Sequence, residues 1–381
     1  MPGTSDSTTR IVIAGGGIAA VEAVLALRAL GGDAPNLTLV SATPTFHVPA
    51  LAALKPFARG HSDELALAPF MSERGGTFIE GRVALVDPER RVLVLDHGQE
   101  VEYDELLVAV GGQPVKGTDQ GTGFEPASPE AVSGIASDLE LGWAESVAVI
   151  VPDGPSWPLP GYEFALQLAA QAGPAPEGEA RVHLFIPTEE PLAFFGPRAS
   201  GEVRDLLVQA GVALHAGAPA RVVRTGLVER DGGLPPVKVD RILTVPRIVG
   251  PAIPGLPQDD DAFITVDDYS RVLGTPHVHA AGDGTTIEHK FGAIACQQAD
   301  VAVADILAGL GYDVEAAPLD PVFDARLVAG DREVLLHHDP SGAGRPPARW
   351  VGGAKIAGRY LTPFLEEAAI GHVAHREPAD D

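Results

Sequence analysis

The chain has 381 residues, 45% of them hydrophobic, and 52 acidic side chains against 27 basic ones give it a formal net charge of −25. That length predicts two or three domains with real cores, and the charge argues against a nucleic-acid partner, because phosphate binding needs clustered Lys and Arg. The single cysteine, Cys296, excludes an internal disulfide framework, a cysteine-based metal site and a dithiol redox centre.

Residues 1–10 are polar and lack the apolar core of a signal peptide. Residues 10–14 read as a buried strand that runs through Gly15, Gly16 and Gly17 into a helix over 18–30, stopped by Gly31-Gly32. A strand over 37–40 completes a βαβ unit. The turn has the form G-x-G-x-x-A, which presents bare backbone amides and a helix N-terminus to a pyrophosphate. In such folds an acidic residue often closes the second strand; Ser41 holds that place here, and a hydroxyl binds a ribose more weakly than a carboxylate does. Residues 44–49 are too proline-rich for a helix. Short strands are expected over 77–80, 81–86, 91–95 and 100–103. The run 103–112 is a buried strand ending on Gly111-Gly112, where backbone can approach a ligand closely. Loop sequence follows over 113–129.

A second βαβ unit starts with a strand over 147–151, followed by a helix over 162–172, a strand over 181–186 and a helix over 199–210. Strands over 221–245 are expected to return to the first domain. Residues 265–283 and a helix over 292–307 complete it, with Gly282-Asp283 placing a carboxylate at a strand end. Strands near 323–328 and 333–337 form a small C-terminal unit, and 354–370 places Ile356, Tyr360, Leu361, Phe364, Leu365 and Ala368 on one helical face interrupted by Pro363. That face reads as core packing or a homodimer contact. No apolar run approaches the ~18 residues a membrane span needs, and the default location is the cytoplasm.

Four segments carry a resemblance: Gly15-Gly16-Gly17-Ile18-Ala19-Ala20, Tyr103-Asp104-Glu105-Leu106-Leu107-Val108-Ala109-Val110-Gly111, Gly161-Tyr162-Glu163-Phe164-Ala165-Leu166 and Ala280-Ala281-Gly282-Asp283. In this order the chain resembles the two-dinucleotide-domain flavoproteins, a family that includes sulfide:quinone oxidoreductases, flavocytochrome c sulfide dehydrogenase flavoproteins and type II NADH dehydrogenases. The resemblance implies an α/β fold of two Rossmann-like dinucleotide-binding domains with a small C-terminal α+β unit. It divides the chain into a first FAD part over 8–115, an inserted second domain over 116–240, a second FAD part over 241–312 and a cap over 313–381. It implies one non-covalent FAD held by both ends of the chain and an FAD-dependent oxidoreductase activity. By position, Gly15, Gly17 and Ala20 would face the pyrophosphate and Ser41 the adenosine ribose. Val83 would offer backbone to the adenine, Val110 and Gly111 would lie along the cofactor, and Gly282 and Asp283 would meet the ribityl chain. Lys290, with Gly292 and Ala293 after it, would approach the isoalloxazine, where a cation stabilises the reduced anionic ring.

The donor side departs from the family. A nicotinamide-binding relative carries a glycine fingerprint where this chain has Pro152-Asp153-Gly154-Pro155-Ser156-Trp157-Pro158-Leu159-Pro160. Proline has no amide hydrogen, Asp153 repels a pyrophosphate and Trp157 is bulky. The sulfide enzymes place a redox cysteine after the serine; Trp157 stands there instead. A second family cysteine is missing around 326–331, so polysulfide cannot grow on the protein by thiol chemistry.

Glu163 is either a carboxylate turned toward the flavin face or one favoured by a helix start. His47 can donate or accept a proton beside the flavin, although a plain loop histidine is the simpler reading. Gln297 and Gln298 match part of a quinone-pocket motif, and Cys296 reads as a small core residue. His289, His337 and His338 show no metal-ligand spacing. The expected partners are a small-molecule electron donor and, as candidate acceptor, a quinone. Two alternatives stay open: a type II NAD(P)H:quinone dehydrogenase with a divergent loop, and a non-catalytic flavin-binding subunit.

Overall fold

The run Ile11-Val12-Ile13-Ala14 is buried on both faces, as a strand inside a parallel sheet must be. In the computed structural model, which describes residues 9–33, 35–59, 64–118, 120–125, 130–173, 179–348, 350 and 354–368, it forms the middle of a five-stranded parallel sheet. The order is Val278–Ala280, Glu105–Val108, Arg10–Ala14, Asn36–Ser41, Thr77–Glu80, with Ile13 opposite Leu39 on one side and Leu107 on the other. The small residues of helices Ile18–Gly31 and Gly292–Gly309 pack together in one core, Ala19, Ala23 and Val24 with Ala295, Ala299 and Val303. The antiparallel strands Val83–Asp87, Val92–Leu95 and Glu100–Glu102 bury Val86, Leu93 and Leu95 in another.

A second parallel sheet has the order Thr122–Gly123, Arg241–Thr244, Val147–Ile150, Val182–Phe185, Val212–His215. Helices Glu130–Glu140, Leu159–Ala172 and Gly196–Gln209 share its core, where Phe164 meets Phe124 edge-on at 4.8 Å. A fully buried strand, Phe323–Ala329, pairs antiparallel with Arg332–His338 and lies against Leu159–Ala172.

Four expectations are corrected. Residues 221–245 do not return to the first sheet: Ala220–Arg224, Leu227–Arg230 and Val237–Lys238 form their own antiparallel sheet, and Arg241–Thr244 pairs with Val147–Ile150 in the second. The first sheet is re-entered at Val278. The loop 113–129 carries short strands at Gln113–Val115 and Thr122–Gly123, its residues 119 and 126–129 lying outside the described ones. The stretch 44–49 is free of helix up to its last residue, as expected, but is not all loop: Thr45–Phe46 pairs antiparallel with Leu65–Ala66, and Pro49 opens the short helix Pro49–Ala52, because proline is tolerated at the first helical position. The C-terminal helix is only Leu361–Glu367, within the described residues. Glu22, from the first helix, accepts the Tyr360 and Leu361 amides at 2.9 and 2.6 Å and so sets where it starts, with Pro363 in its first turn. Among the described residues no helix is long and apolar enough to cross a membrane, and no group of three His, Cys, Asp or Glu side chains is placed to hold a metal ion.

Candidate functional site

The first strand ends in a turn that only glycine can make. Gly15 has φ +135°, and a Cβ on it would overlap the Ala109 carbonyl; its own amide donates to the Val40 carbonyl at 2.7 Å. A Cβ on Gly16 would run into the Ser41 hydroxyl. Gly17 differs from both, because a Cβ there would meet nothing within 4 Å. It is the N-cap of helix Ile18–Gly31, and no side chain caps that terminus. The helix therefore opens its first amides into space that a side chain would fill, which fits a diphosphate.

That space is one end-to-end cleft. Its outer part, about 420 Å³, is bordered by Gly15, Gly17, Ser41, His47, Arg82 and Val83. Its inner part, about 200 Å³, is bordered by Trp157, Leu159, Asp283, Phe291, Gly292 and Lys355. Gly17, Pro49, Val110, Gly111 and Gly112 line both. The outer end joins backbone turns to the Ser41 hydroxyl. The inner end is mostly apolar, with Ile18, Ala50, Ile356 and Ala357 adding to the aromatic walls, beside the Asp283, Asp324 and Lys355 side chains. A dinucleotide with an aromatic ring system at one end suits that division.

The sequence-derived residues fall into three groups. Gly15, Gly17, Ser41, Val83, Val110, Gly111, Gly282, Asp283, Gly292 and Ala293 all border the cleft. His47 borders it too, at the outer end with Gly15 and Ser41 rather than at the inner end. Ala20 lies behind it, fully buried in the helix. Burial pushes the Asp283 carboxyl up, opposed by Lys290 and by the Phe291 amide.

Lys290 is not in the cleft wall. Its ammonium donates to the Thr285 and Ile287 carbonyls at 2.5 and 2.7 Å and sits 3.8 Å from the centre of the Phe263 ring, facing a separate cavity. Burial pushes it down to about 8. Glu163 is not in the cleft wall either; it stands one residue behind. Its carboxylate accepts the Val328 amide at 2.9 Å and pairs with the ammonium of Lys355, which does border the cleft. Lys355 also donates to the Arg326 carbonyl at 2.5 Å. Each side chain of the pair is 1% exposed. Burial drives the Glu163 carboxyl up and the Lys355 ammonium down, each opposed by the other. Each partner therefore favours the charged form of the other against the burial that opposes it.

Lys355 is the residue that sequence reasoning missed. It is one of only five lysines, and that scarcity was the available signal. Gln297 and Gln298 do not line the cleft. Gln297 exchanges bonds with the Val322 backbone at 2.8 and 2.9 Å, and Gln298 accepts the Gly282 amide at 2.9 Å. Cys296 is buried, and burial raises its thiol well above the ordinary range. It therefore has the setting of an inert core residue.

Comparison with known proteins agrees with this architecture. The family model described as pyridine nucleotide-disulphide oxidoreductase matches residues 9–305. The sulfide-quinone reductase of Aquifex aeolicus (strain VF5) is 27% identical over 259 residues, which is 64% of this chain but only 59% of that protein. Ferroptosis suppressor protein 1 of Mus musculus is 24% identical over 315 residues, 78% of this chain and 80% of that one. Among solved structures, the sulfide:quinone oxidoreductase of Aquifex aeolicus superposes with a TM-score of 0.76 at 19% identity, covering 89% of this chain and 86% of that one. The ferredoxin reductase of the CYP199A2 system from Rhodopseudomonas palustris gives 0.64 at 21%, covering 86% and 81%. At these identities the superpositions speak for the fold alone.

Proposed function

This chain belongs to the pyridine nucleotide-disulphide oxidoreductase family, whose members are FAD-dependent oxidoreductases, and we propose that it passes electrons from a small organic donor through FAD to a quinone without a protein thiol. The observation that carries the reading is the inner end of the cleft, where Trp157 and the buried Lys355–Glu163 pair stand together. A sulfide mechanism would place reactive sulfur near this end, and the chain's one cysteine is buried in the helix Gly292–Gly309.

Bound FAD supplies reversible two-electron chemistry. Gly15, Gly17 and the open helix N-terminus would hold its diphosphate, Ser41 and the Val83 backbone its adenosine end, and Val110, Gly111 and Asp283 its middle. Lys355 Nζ then presents positive charge at the apolar end, where low dielectric makes a charge act strongly. Glu163 Oε1 accepts from that ammonium and fixes it at the cleft wall. Trp157, Leu159 and Phe291 exclude water from the same end. The quinone acceptor is supported by the name of the Aquifex relative, a sulfide-quinone reductase, and by the mostly apolar lining, not by Gln297 and Gln298.

Anaerobic titration with NADH, NADPH, sulfide and a quinol, followed by flavin absorbance, tests this reading. The expected result is no bleaching by either nicotinamide, by sulfide or by the quinol, and rapid reoxidation of photoreduced protein by the matching quinone. Rapid bleaching by NADH or NADPH would instead favour a type II dehydrogenase with a divergent loop. Protein that carries no flavin would overturn the reading altogether.

A further inference from the structure

A second cavity, about 570 Å³, shares the Phe291 wall with the flavin cleft and lies over the loop that follows strand Val147–Ile150. In a dinucleotide-binding unit this loop offers amides to a diphosphate. Here Pro152, Pro155 and Pro158 have no amide hydrogen to offer, and Pro158 is itself the N-cap of helix Leu159–Ala172. Gly161 does not make room for a ligand either. A Cβ there would meet Val151 at 2.6 Å and Val245 at 3.2 Å, so its small size lets helix and strand pack.

The charge at the mouth has the opposite sign to an anion site. Asp153, Asp259, Asp261 and Glu288 all line the cavity and all are exposed. The counter-charge is Lys290, whose ammonium is already held by two carbonyls and the Phe263 ring. The remaining walls are aromatic: Phe194 stacks on His289 at 5.0 Å, and Phe291 stands beside them. Tyr162, 2% exposed, lines the cavity as well. Its oxygen accepts the Leu192 amide at 3.1 Å, and its own proton has no acceptor among the described residues. Aromatic faces and carboxylates together attract an organic cation, and a hydroxyl proton without an acceptor suits a ligand carbonyl.

We propose that this cavity binds a compact organic cation that carries a hydrogen-bond acceptor, and that it rejects ligands bearing a diphosphate. The occupied cavity would place that cation against Phe291, beside the flavin cleft.

The test is isothermal titration calorimetry at low salt on the purified protein, with three probes: 1-methylnicotinamide, nicotinamide and NAD+. The first two differ in charge, and the first and third differ by the ribose-diphosphate-adenosine portion. Cation binding is expected to be about tenfold tighter than that of nicotinamide and to weaken as salt rises to about 0.15 M. NAD+ is expected to bind no tighter than nicotinamide. The exposed double substitution Asp153→Asn with Glu288→Gln is expected to weaken 1-methylnicotinamide about threefold and leave nicotinamide unchanged. Equal binding of the two small probes, tighter binding of NAD+, no measurable binding of the cation, or indifference to the double substitution would each overturn the assignment. Flavin content, read by absorbance on the same sample, reports separately on the adjoining cleft.

Discussion

Replacing Lys355 by Met leaves the Glu163 carboxyl 1% exposed with the Val328 amide as its remaining partner, and it strips the Arg326 carbonyl of a donor. Breaking a buried pair from one side costs about 3–5 kcal/mol, because the survivor keeps its desolvation penalty. Glu163→Gln breaks it from the other side and should fall near the lower end of that range. The double substitution removes both charges and leaves an amide and a thioether of similar volume, so it should lie within about 2 kcal/mol of the parent. The coupling energy of the cycle is therefore expected to be at least about 4 kcal/mol. Urea unfolding at saturating FAD, with midpoint and slope fitted for all four proteins, measures it. Strict additivity of the two single substitutions would refute the reading of the pair as one unit. The flavin gives an independent readout. Loss of the Lys355 charge should lower its two-electron midpoint potential, by about 30 mV for each ~1.4 kcal/mol of lost stabilisation. Lys290→Met should shift it less, because that ammonium faces the neighbouring cavity; a larger shift from Lys290 would assign the flavin-side cation to it instead.

Three further outcomes are expected. Gly17→Ala should fold with a stability within about 0.5 kcal/mol of the parent, since its Cβ meets nothing in the chain, yet hold FAD at least about tenfold more weakly, because the methyl enters the cleft; full flavin retention would place the diphosphate elsewhere. Gly15→Ala should lose about 3 kcal/mol or more, its Cβ overlapping the Ala109 carbonyl at a φ of +135°, and a thermal unfolding midpoint equal to the parent's would contradict the turn geometry. Asp300 yields a pH dependence. Burial and then the Glu22 charge push its carboxyl up to about 8, Arg359 opposing. The folded chain thus keeps a proton that the unfolded chain releases above about pH 4, and stability contributed by that proton falls as pH rises from about 4 to about 8. Asp300→Asn, which mimics the protonated form, should flatten that slope and raise the urea midpoint near pH 8; a slope as steep as the parent's would show that the proton resides elsewhere.

The sequence by itself determined the elements whose signals are local. The apolar run 11–14 with its glycine turn, the run before Gly111 and the Gly282-Asp283 strand end all form and all border one cleft, because a buried parallel strand and a positive-φ turn each write their demands into adjacent residues. The same locality made the loss of thiol and glycine fingerprint around Trp157 legible. Only the tertiary structure decided which strands share a sheet. Arg241–Thr244 and Val278–Ala280 read alike as short apolar strands, but the first pairs with Val147–Ile150 and the second with Glu105–Val108. It also decided which lysine meets the cleft. Lys290 follows the Gly-Asp motif closely in sequence, yet two local carbonyls and Phe263 claim its ammonium. Lys355 reaches the inner end from a distant segment, held by Glu163, which lies 192 positions away in the chain. Sheet partners and buried charge pairs are chosen by packing between distant segments, and no window of neighbouring residues carries that information.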